Sequence, residues 1–473
     1  METTLQIPFD NTYAHLPKGF FTPQSPTAVS NAKLIKFNDA LAKELGIASG
    51  ADMDLAEILA GNEIPEGASP LAQLYAGHQF GQYNPQLGDG RAVLLGEVVD
   101  TRGRRRDIQL KGSGPTPYSR TGDGRAWLGP VLREYVVSEA MHALGVPTTR
   151  ALAAVSTGDP VYREAALPGA VLTRVASSHI RVGTFQVFAH RGQIEDLKTL
   201  TDYTIKRHYP EADGAMGLLA AVIQAQAELV ATWMSFGFIH GVMNTDNCTI
   251  SGETIDYGPC AFLDTYQSDK VMSSIDQYGR YAFSNQPKII VWNMAQFATA
   301  LIQQMDDKDA AIEQATELVH AMPDQIESAW LRRFGAKIGL GNADINDLPL
   351  IEDLLARMQD GRADFTNTFR ALNTPNARNQ FLDPQAFDAW EVQWRARLGE
   401  ADPTAIMNAA NPVLIPRNHR IEHMIQAAVA DDFEPFERLI DAFSQPYDLQ
   451  DEYVDLQRPP TEQEVVPATF CGT

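Results

Sequence analysis

Near residue 190 the apolar residues of this chain change their spacing, and that change narrows the folds open to it. Before it, short runs rich in β-branched residues are separated by Gly, Pro and Ser. They are Arg91 to Val99 and Asp107 to Lys111 on either side of the basic turn Arg102-Gly103-Arg104-Arg105-Arg106, then Ala151 to Val155, Ala170 to Val175 and Thr184 to Ala189. Side chains alternate faces along a strand, so runs of this kind are expected to pair into an antiparallel sheet. One stretch in this half, Val131 to Leu144, instead repeats its apolar residues at helical spacing between Gly129-Pro130 and Gly145-Val146-Pro147. After residue 190 long helical patterns dominate, from Gly214 to Phe236, Val291 to Met305 and Ala310 to Phe334. The expectation is an α+β chain in two packed lobes. Residues 1–190 form an extension rich in Pro, Gly and Asn followed by a sheet-rich lobe with one helix; residues 191–458 form a larger helical lobe; residues 459–473 form a mobile tail rich in Pro, Glu and Thr.

Composition removes several classes of function. With 44% hydrophobic and 21% charged residues, the chain has material for a large core. Its cysteines, Cys248, Cys260 and Cys471, form neither a CxxC pair nor a zinc-ligand cluster, which fits a reducing compartment. The start, Met1-Glu2-Thr3-Thr4-Leu5-Gln6, has the character of neither a signal nor a transit peptide, and no apolar run is expected to reach the ~20 residues that span a bilayer. A cytoplasmic protein with no membrane partner is the expectation. A net charge of -22 speaks against nucleic acid as a partner, since that binding draws on phosphate neutralisation by Lys and Arg.

Two polar groups interrupt the pattern. Gln86-Leu87-Gly88-Asp89-Gly90-Arg91 leads straight into the first clear strand. Glycines there let backbone N–H groups approach phosphate oxygens, and a plain turn opening a hairpin is the alternative. The next strand ends in Leu110-Lys111-Gly112, and the following helix carries Arg133-Glu134 in its early turns. Protein kinases pair a strand lysine with a helix glutamate over nucleotide phosphates in this order. The second group is His240-Gly241-Val242-Met243-Asn244-Thr245-Asp246-Asn247, followed by Asp256-Tyr257-Gly258. Against the kinase patterns H-R-D-L-x-x-x-N and D-F-G, His240, Asn247 and Asp256 match, while Val242 stands where the catalytic aspartate belongs. Valine accepts no proton. Asn247 and Asp256 offer hard oxygens of the kind Mg²⁺ takes, so loss of the Asp256 carboxylate is expected to abolish transfer and leave the fold intact. The nearest carboxylate able to serve as base is Asp246, a residue that also suits a turn. The arginines of the 102–106 turn are assigned no role.

Longer segments carry a closer likeness. Gln73-Leu74-Tyr75-Ala76-Gly77-His78-Gln79-Phe80-Gly81, Gln86 to Ala92, Gln109 to Arg120 and His240 to Asn247 resemble the selenoprotein O family, kinase-like proteins that catalyse AMPylation. The likeness extends over most of the chain. It implies a protein-kinase-like fold, with Lys111 and Glu134 on the sheet-rich lobe, the Asp246 to Gly258 loops on the helical lobe, and ATP between them. It implies nucleotide contacts from Gly88, Gly90, Arg91, Lys111, Asp123, Gly124, Arg174, Arg181 and Asp256, metal binding (Mg²⁺, with Mn²⁺ as an alternative) by Asn247 and Asp256, and a proton acceptor at Asp246. By the same resemblance ATP lies reversed in the cleft, with Arg174 and Arg181 receiving the γ-phosphate, and AMP passes to Ser, Thr or Tyr hydroxyls of proteins, this chain among them. Where many members carry selenocysteine, this chain has Cys471, which is considered as a redox partner for Cys248 or Cys260. Two other readings stand beside this one: a kinase that transfers the γ-phosphoryl group, and an inert nucleotide-binding scaffold. Retention of the lysine, the glutamate and both metal-ligand candidates argues against inertness.

Overall fold

The computed structural model describes residues 5–48 and 55–470. The first lobe opens with strands β1 (Phe21–Pro23), β2 (Lys33–Phe37) and β3 (Leu71–Gln73), with short helices α1 (Asp39–Glu44) and α2 (Leu55–Ala60) between the second and third. A separate hairpin follows, β4 (Gly77–Gln79) with β5 (Gln82–Asn84). The long strands are β6 (Ala92–Val99), β7 (Arg105–Lys111), β9 (Arg150–Tyr162) and β10 (Ala166–Ala176), with the short β8 (Ala126–Trp127) beside β10. They make one antiparallel sheet of order β1-β3-β6-β7-β10-β9-β2. Its strands read as near-continuous apolar runs because both faces are covered. Leu95, Val98, Ile108, Leu110, Leu152 and Val171 pack with Leu41, Ile58 and Leu59 of the N-terminal extension. Leu94, Ala154 and Leu172 face the other way, into a core shared with Val131, Leu132 and Tyr135 of α3 (Leu128–Ala143).

The run Thr184 to Ala189, expected as a strand, lies in helix α4 (Val182–Arg191). A short apolar run cannot be told from a buried helical segment by periodicity, and here Val182, Phe185, Val187 and Phe188 are all buried. The stop signal was Gly192, left-handed at φ 68° after the last turn. The helical lobe continues with α5 (Ile194–His208), α6 (Gly214–Ser235), α7 (Gln286–Ile302) and α8 (Lys308–Lys337), then shorter helices to Phe443. The strands β11 (Phe238–Ile239) and β12 (Ala261–Phe262) bracket the polar loop between α6 and α7. Thr249-Ile250 and Thr254-Ile255 contribute single bridges, Arg181 to Thr249 and Thr148 to Thr254, instead of a strand.

Among the described residues α6 is the one helix long and apolar enough to cross a membrane, contrary to the expectation that no run reaches that length. It is apolar on most sides because it is the central helix of the lobe, with Leu218, Leu219, Val222, Leu229 and Val230 buried. The last helices return to the first lobe, where Phe436 meets Tyr135 of α3 edge to face at 5.6 Å. The C-terminal segment, expected to be mobile, is tied down as far as it is described. Thr469 bridges to Ser273, and its Oγ1 donates to Pro259 O at 2.6 Å.

Candidate active site

Between the lobes lies a cleft of about 480 Å³. It is lined by Gly88, Gly90, Arg91, Lys111, Asp123, Gly124, Arg174 and Arg181 from the first lobe and by Val242, Asp246, Asn247 and Asp256 from the second. The fold brings these together for local reasons. Lys111 ends β7, where register sets it between Ala92 of β6 and Leu172 of β10, and Arg174 lies further along β10, opposite Gln109. Arg181 is the residue before α4. Gly88 has φ 90°, and a Cβ there would lie 2.5 Å from the Tyr118 ring, so only glycine permits this approach of loop to loop.

One half of the cleft is a closed ion network. Lys111 Nζ donates to Glu134 Oε2 of α3 at 2.6 Å and to Asp256 Oδ1 at 2.7 Å. Arg174 Nη1 donates to Glu134 Oε1 at 3.1 Å and to Asp256 Oδ1 at 2.7 Å, and its Nη2 to Gln109 Oε1 at 2.7 Å. Arg181 Nη1 donates to Asp256 Oδ2 at 2.9 Å and to the Asp246 carbonyl at 2.6 Å, while its guanidinium sits 4.6 Å from the centre of the Tyr75 ring. Burial alone would raise the Asp256 pKa; Lys111, Arg174 and Arg181 outweigh it and hold the carboxyl well below its usual range. Asp256 itself is left-handed, at φ 63°, a conformation that aims its carboxylate at all three cations.

In the other half Asp246 is buried; Gln79 Nε2 donates to its Oδ2 at 3.0 Å, and Oδ1, sealed from solvent, has no hydrogen-bond partner among the described residues. Burial pushes its pKa up to about 6, against the opposing effects of Gln79 and Arg181. Val242 lines the same cleft and carries no polar atom beyond its backbone. Asn247 Nδ2 donates to Val242 O at 3.0 Å. His240 joins the two loops through Nε2 and the Ile255 carbonyl, 2.9 Å apart.

Among the described residues no group of three or more His, Cys, Asp or Glu side chains could hold a metal by itself. A carboxylate offers about four lone-pair directions. Asp256 uses three of its own on Lys111, Arg174 and Arg181, leaving one on Oδ2. That oxygen and Asn247 Oδ1 fit a hard divalent cation that takes its remaining ligands from phosphates and water.

Glu134 does not line the cleft; it stands behind Lys111 and Arg174. Asp123 is at the rim, where Arg163 grips it with two bonds of 2.8 and 3.1 Å. Four residues of the site escaped assignment of a role from sequence: Tyr75, Gln79, Asp89 and Gln109. Asp89 is buried, accepts from Gln73 N and Gln109 Nε2, and has its pKa pushed up to about 6 by burial. Gln109 lies between Ile108 and Leu110, and a polar residue inside an apolar strand was the available signal for it. Cys248 and Cys260 are buried, and burial pushes both thiols up to about 12, which makes them poor thiolates. Cys471 lies outside the described residues. Arg133 Nη1 holds the segment before it, donating to Phe470 O at 3.2 Å and to Gly258 O at 2.9 Å.

A sheet-rich lobe carrying a lysine–glutamate pair, facing a helical lobe whose loops supply an asparagine and an aspartate, is the arrangement of kinase-like proteins. The sequence comparisons are narrower. The family described as "Protein adenylyltransferase SelO" matches residues 3–444. Two relatives named "Protein nucleotidyltransferase YdiU", from Ruegeria sp. (strain TM1040) and Roseobacter denitrificans, are 69% and 67% identical, each over 99% of this chain and 100% of the relative. A third of that name, from Jannaschia sp. (strain CCS1), is 59% identical over 99% of both chains. The chain therefore belongs to the SelO family of protein adenylyltransferases, enzymes of the nucleotidyltransferase class.

Proposed function

We propose that this protein transfers AMP from ATP to a Ser, Thr or Tyr hydroxyl of a protein, including its own chain, and releases pyrophosphate, working in the cytoplasm. One observation carries the residue-level reading. The Asp246 carboxylate, largely buried, lines one cleft with Lys111, Arg174 and Arg181, while Val242 fills the position where a kinase holds its base. In the step proposed, the acceptor hydroxyl gives its proton to the Asp246 carboxylate and its oxygen forms a bond to the α-phosphorus. The bond from that phosphorus to the bridging oxygen breaks, and pyrophosphate leaves with the electron pair.

Lys111, Arg174 and Arg181 bind the triphosphate, and Gly88, Gly90 and Arg91 with Asp123 and Gly124 form the loops that close over it. Arg174 and Arg181 line the cleft, and guanidinium forks of this kind bind phosphate oxygens bidentately. In the reversed pose the γ-phosphate lies on these arginines and the α-phosphate faces Asp246. Asn247 and Asp256 would hold Mg²⁺ or Mn²⁺, which supplies positive charge to the phosphate oxygens when bound. Glu134 orients Lys111 and Arg174.

Incubation with ATP labelled on the α- or the γ-phosphate tests the reading. Label on protein from α-labelled ATP, and none from γ-labelled ATP, is the expected result. The opposite result returns the chain to the kinase reading, and no label from either supports a scaffold.

A further inference from the structure

Among the described residues the hairpin β4–β5 pairs with no other strand, yet it is tied closely to the loop that carries Asp246. His78 N donates to Thr245 Oγ1 at 2.7 Å, Phe80 N to Asn244 Oδ1 at 3.1 Å, and Gln79 Nε2 to Asp246 Oδ2 at 3.0 Å. From the other side Thr245 Oγ1 donates to Gln186 Oε1 at 2.7 Å, and Tyr281 OH to Asn244 Oδ1 at 2.5 Å. The turn of the hairpin is strained, since Phe80 is left-handed at φ 52°, a conformation unfavourable for a bulky side chain. Its ring packs edge to face on Tyr281 at 5.1 Å, so contacts with the same loop hold the strained turn in place.

We infer that Gln79 is a positioning residue for adenylyl transfer: its amide holds the Asp246 carboxylate by Oδ2 while Oδ1 is sealed against Gly77, so that the group keeps one orientation in the cleft. This rests on the proposed role of Asp246. A carboxylate held by neither oxygen would turn about its Cβ–Cγ bond. The Gln79 amide on Oδ2 and the Gly77 backbone against Oδ1 together prevent that. Gly77, two residues earlier on the same strand, completes the device. A Cβ on Gly77 would lie 2.5 Å from Asp246 Oδ1 and 2.9 Å from its Cγ, so the free oxygen occupies space that any other residue would fill. Gly77 does not have positive φ, so an alanine there is opposed by that contact and not by its backbone. Gln79 also lines the cleft, which places its amide beside the reacting groups and apart from the Lys111, Arg174 and Arg181 network.

The experiment measures the initial rate of α-label transfer to the protein itself against ATP concentration, with melting temperature recorded for each variant. Gln79→Met keeps the length of the side chain and removes the donor. The maximal rate is expected to fall on the order of 10–100-fold, with half-saturating ATP and melting temperature unchanged, because misplacing a base costs rate and not nucleotide binding. Gly77→Ala should reproduce the loss of maximal rate at unchanged half-saturating ATP by displacing the carboxylate, with a lower melting temperature from that contact, and it provides the test if Gln79→Met fails to fold. An unchanged maximal rate in both variants overturns the inference, and so does a rate loss accompanied by a rise in half-saturating ATP or, in Gln79→Met, by a fall in melting temperature. Wild-type protein that transfers no α-label would instead overturn the adenylyl-transfer reading beneath it.

Discussion

Asp256 and Asp246 are carboxylates of one cleft, ten residues apart in sequence, and their surroundings are opposite. Asp256 is gripped by Lys111, Arg174 and Arg181, while Asp246 has one amide donor and an unpartnered oxygen. The first group is held ionised far below neutral pH; the second has its pKa pushed up to about 6. Low pKa makes a carboxylate a counter-ion and a cation ligand, whereas a raised one makes it a proton acceptor near working pH. The contrast in ionisation is thus set by burial and by which cations the folded chain places beside each group.

The largest effect is expected at Asp256. Asp256→Asn removes the charge that neutralises three buried or half-buried cations, and should lower α-label transfer about 10³-fold or more. It should also destabilise the protein by several kcal/mol, on the order of the ~3–5 kcal/mol seen when one partner of a buried ion pair is lost. This revises the expectation from sequence that the fold would not depend on this residue. Wild-type melting temperature in Asp256→Asn would show that the network is not holding the lobes.

Asp246→Asn should give the contrasting result. Transfer is expected to fall about 10²–10⁴-fold, the usual contribution of a general base, with ATP affinity retained. Stability should rise. A carboxyl whose pKa goes from 3.8 to about 6 on folding keeps its proton in the folded state where the unfolded chain has released it, so its cost grows as pH rises through that window and is complete above about 6. The melting-temperature gain of Asp246→Asn should therefore be present at pH 7 and vanish near pH 4. A gain that does not depend on pH would mean that burial is not what raises this group.

Much of this site was legible before the fold was known, and the reason is chemical. Lys111, Glu134, Asn247 and Asp256 sit in motifs whose order along the chain is diagnostic, and all four come together around the cleft, Glu134 from behind it. Long runs with one period, such as α6 and α8, were legible too. The strand assigned to Thr184–Ala189 failed because six apolar-rich residues fit either period and tertiary burial decided between them. Gln79 and Asp89 had no individual role because hydrogen bonds that cross from one loop to another leave no periodic trace. Gln79 reaches a residue 167 positions away.

The smallest effect is expected where an ion pair lies in water. Arg163 and Asp123 meet at the cleft rim with the same bidentate geometry as a buried pair, but their side chains are 23% and 45% exposed. Water screens such a pair, and holding the long arginine side chain in one rotamer offsets much of the attraction. Arg163→Ala should therefore change stability by no more than about 1 kcal/mol, against several for Asp256→Asn. Its effect on nucleotide binding tests a different matter, because Asp123 is proposed to contact ATP. With Arg163 present, its hydrogen bonds lower the Asp123 pKa and hold the carboxylate in one orientation. Without it the loop carrying Asp123 and Gly124 keeps its backbone but loses that restraint, so half-saturating ATP should rise by a small factor, about two- to fivefold, with the maximal rate unchanged. A large loss of maximal rate in Arg163→Ala would place the rim pair within the reacting centre, and the contrast between Asp256 and Asp246 would then not account for where the chemistry lies.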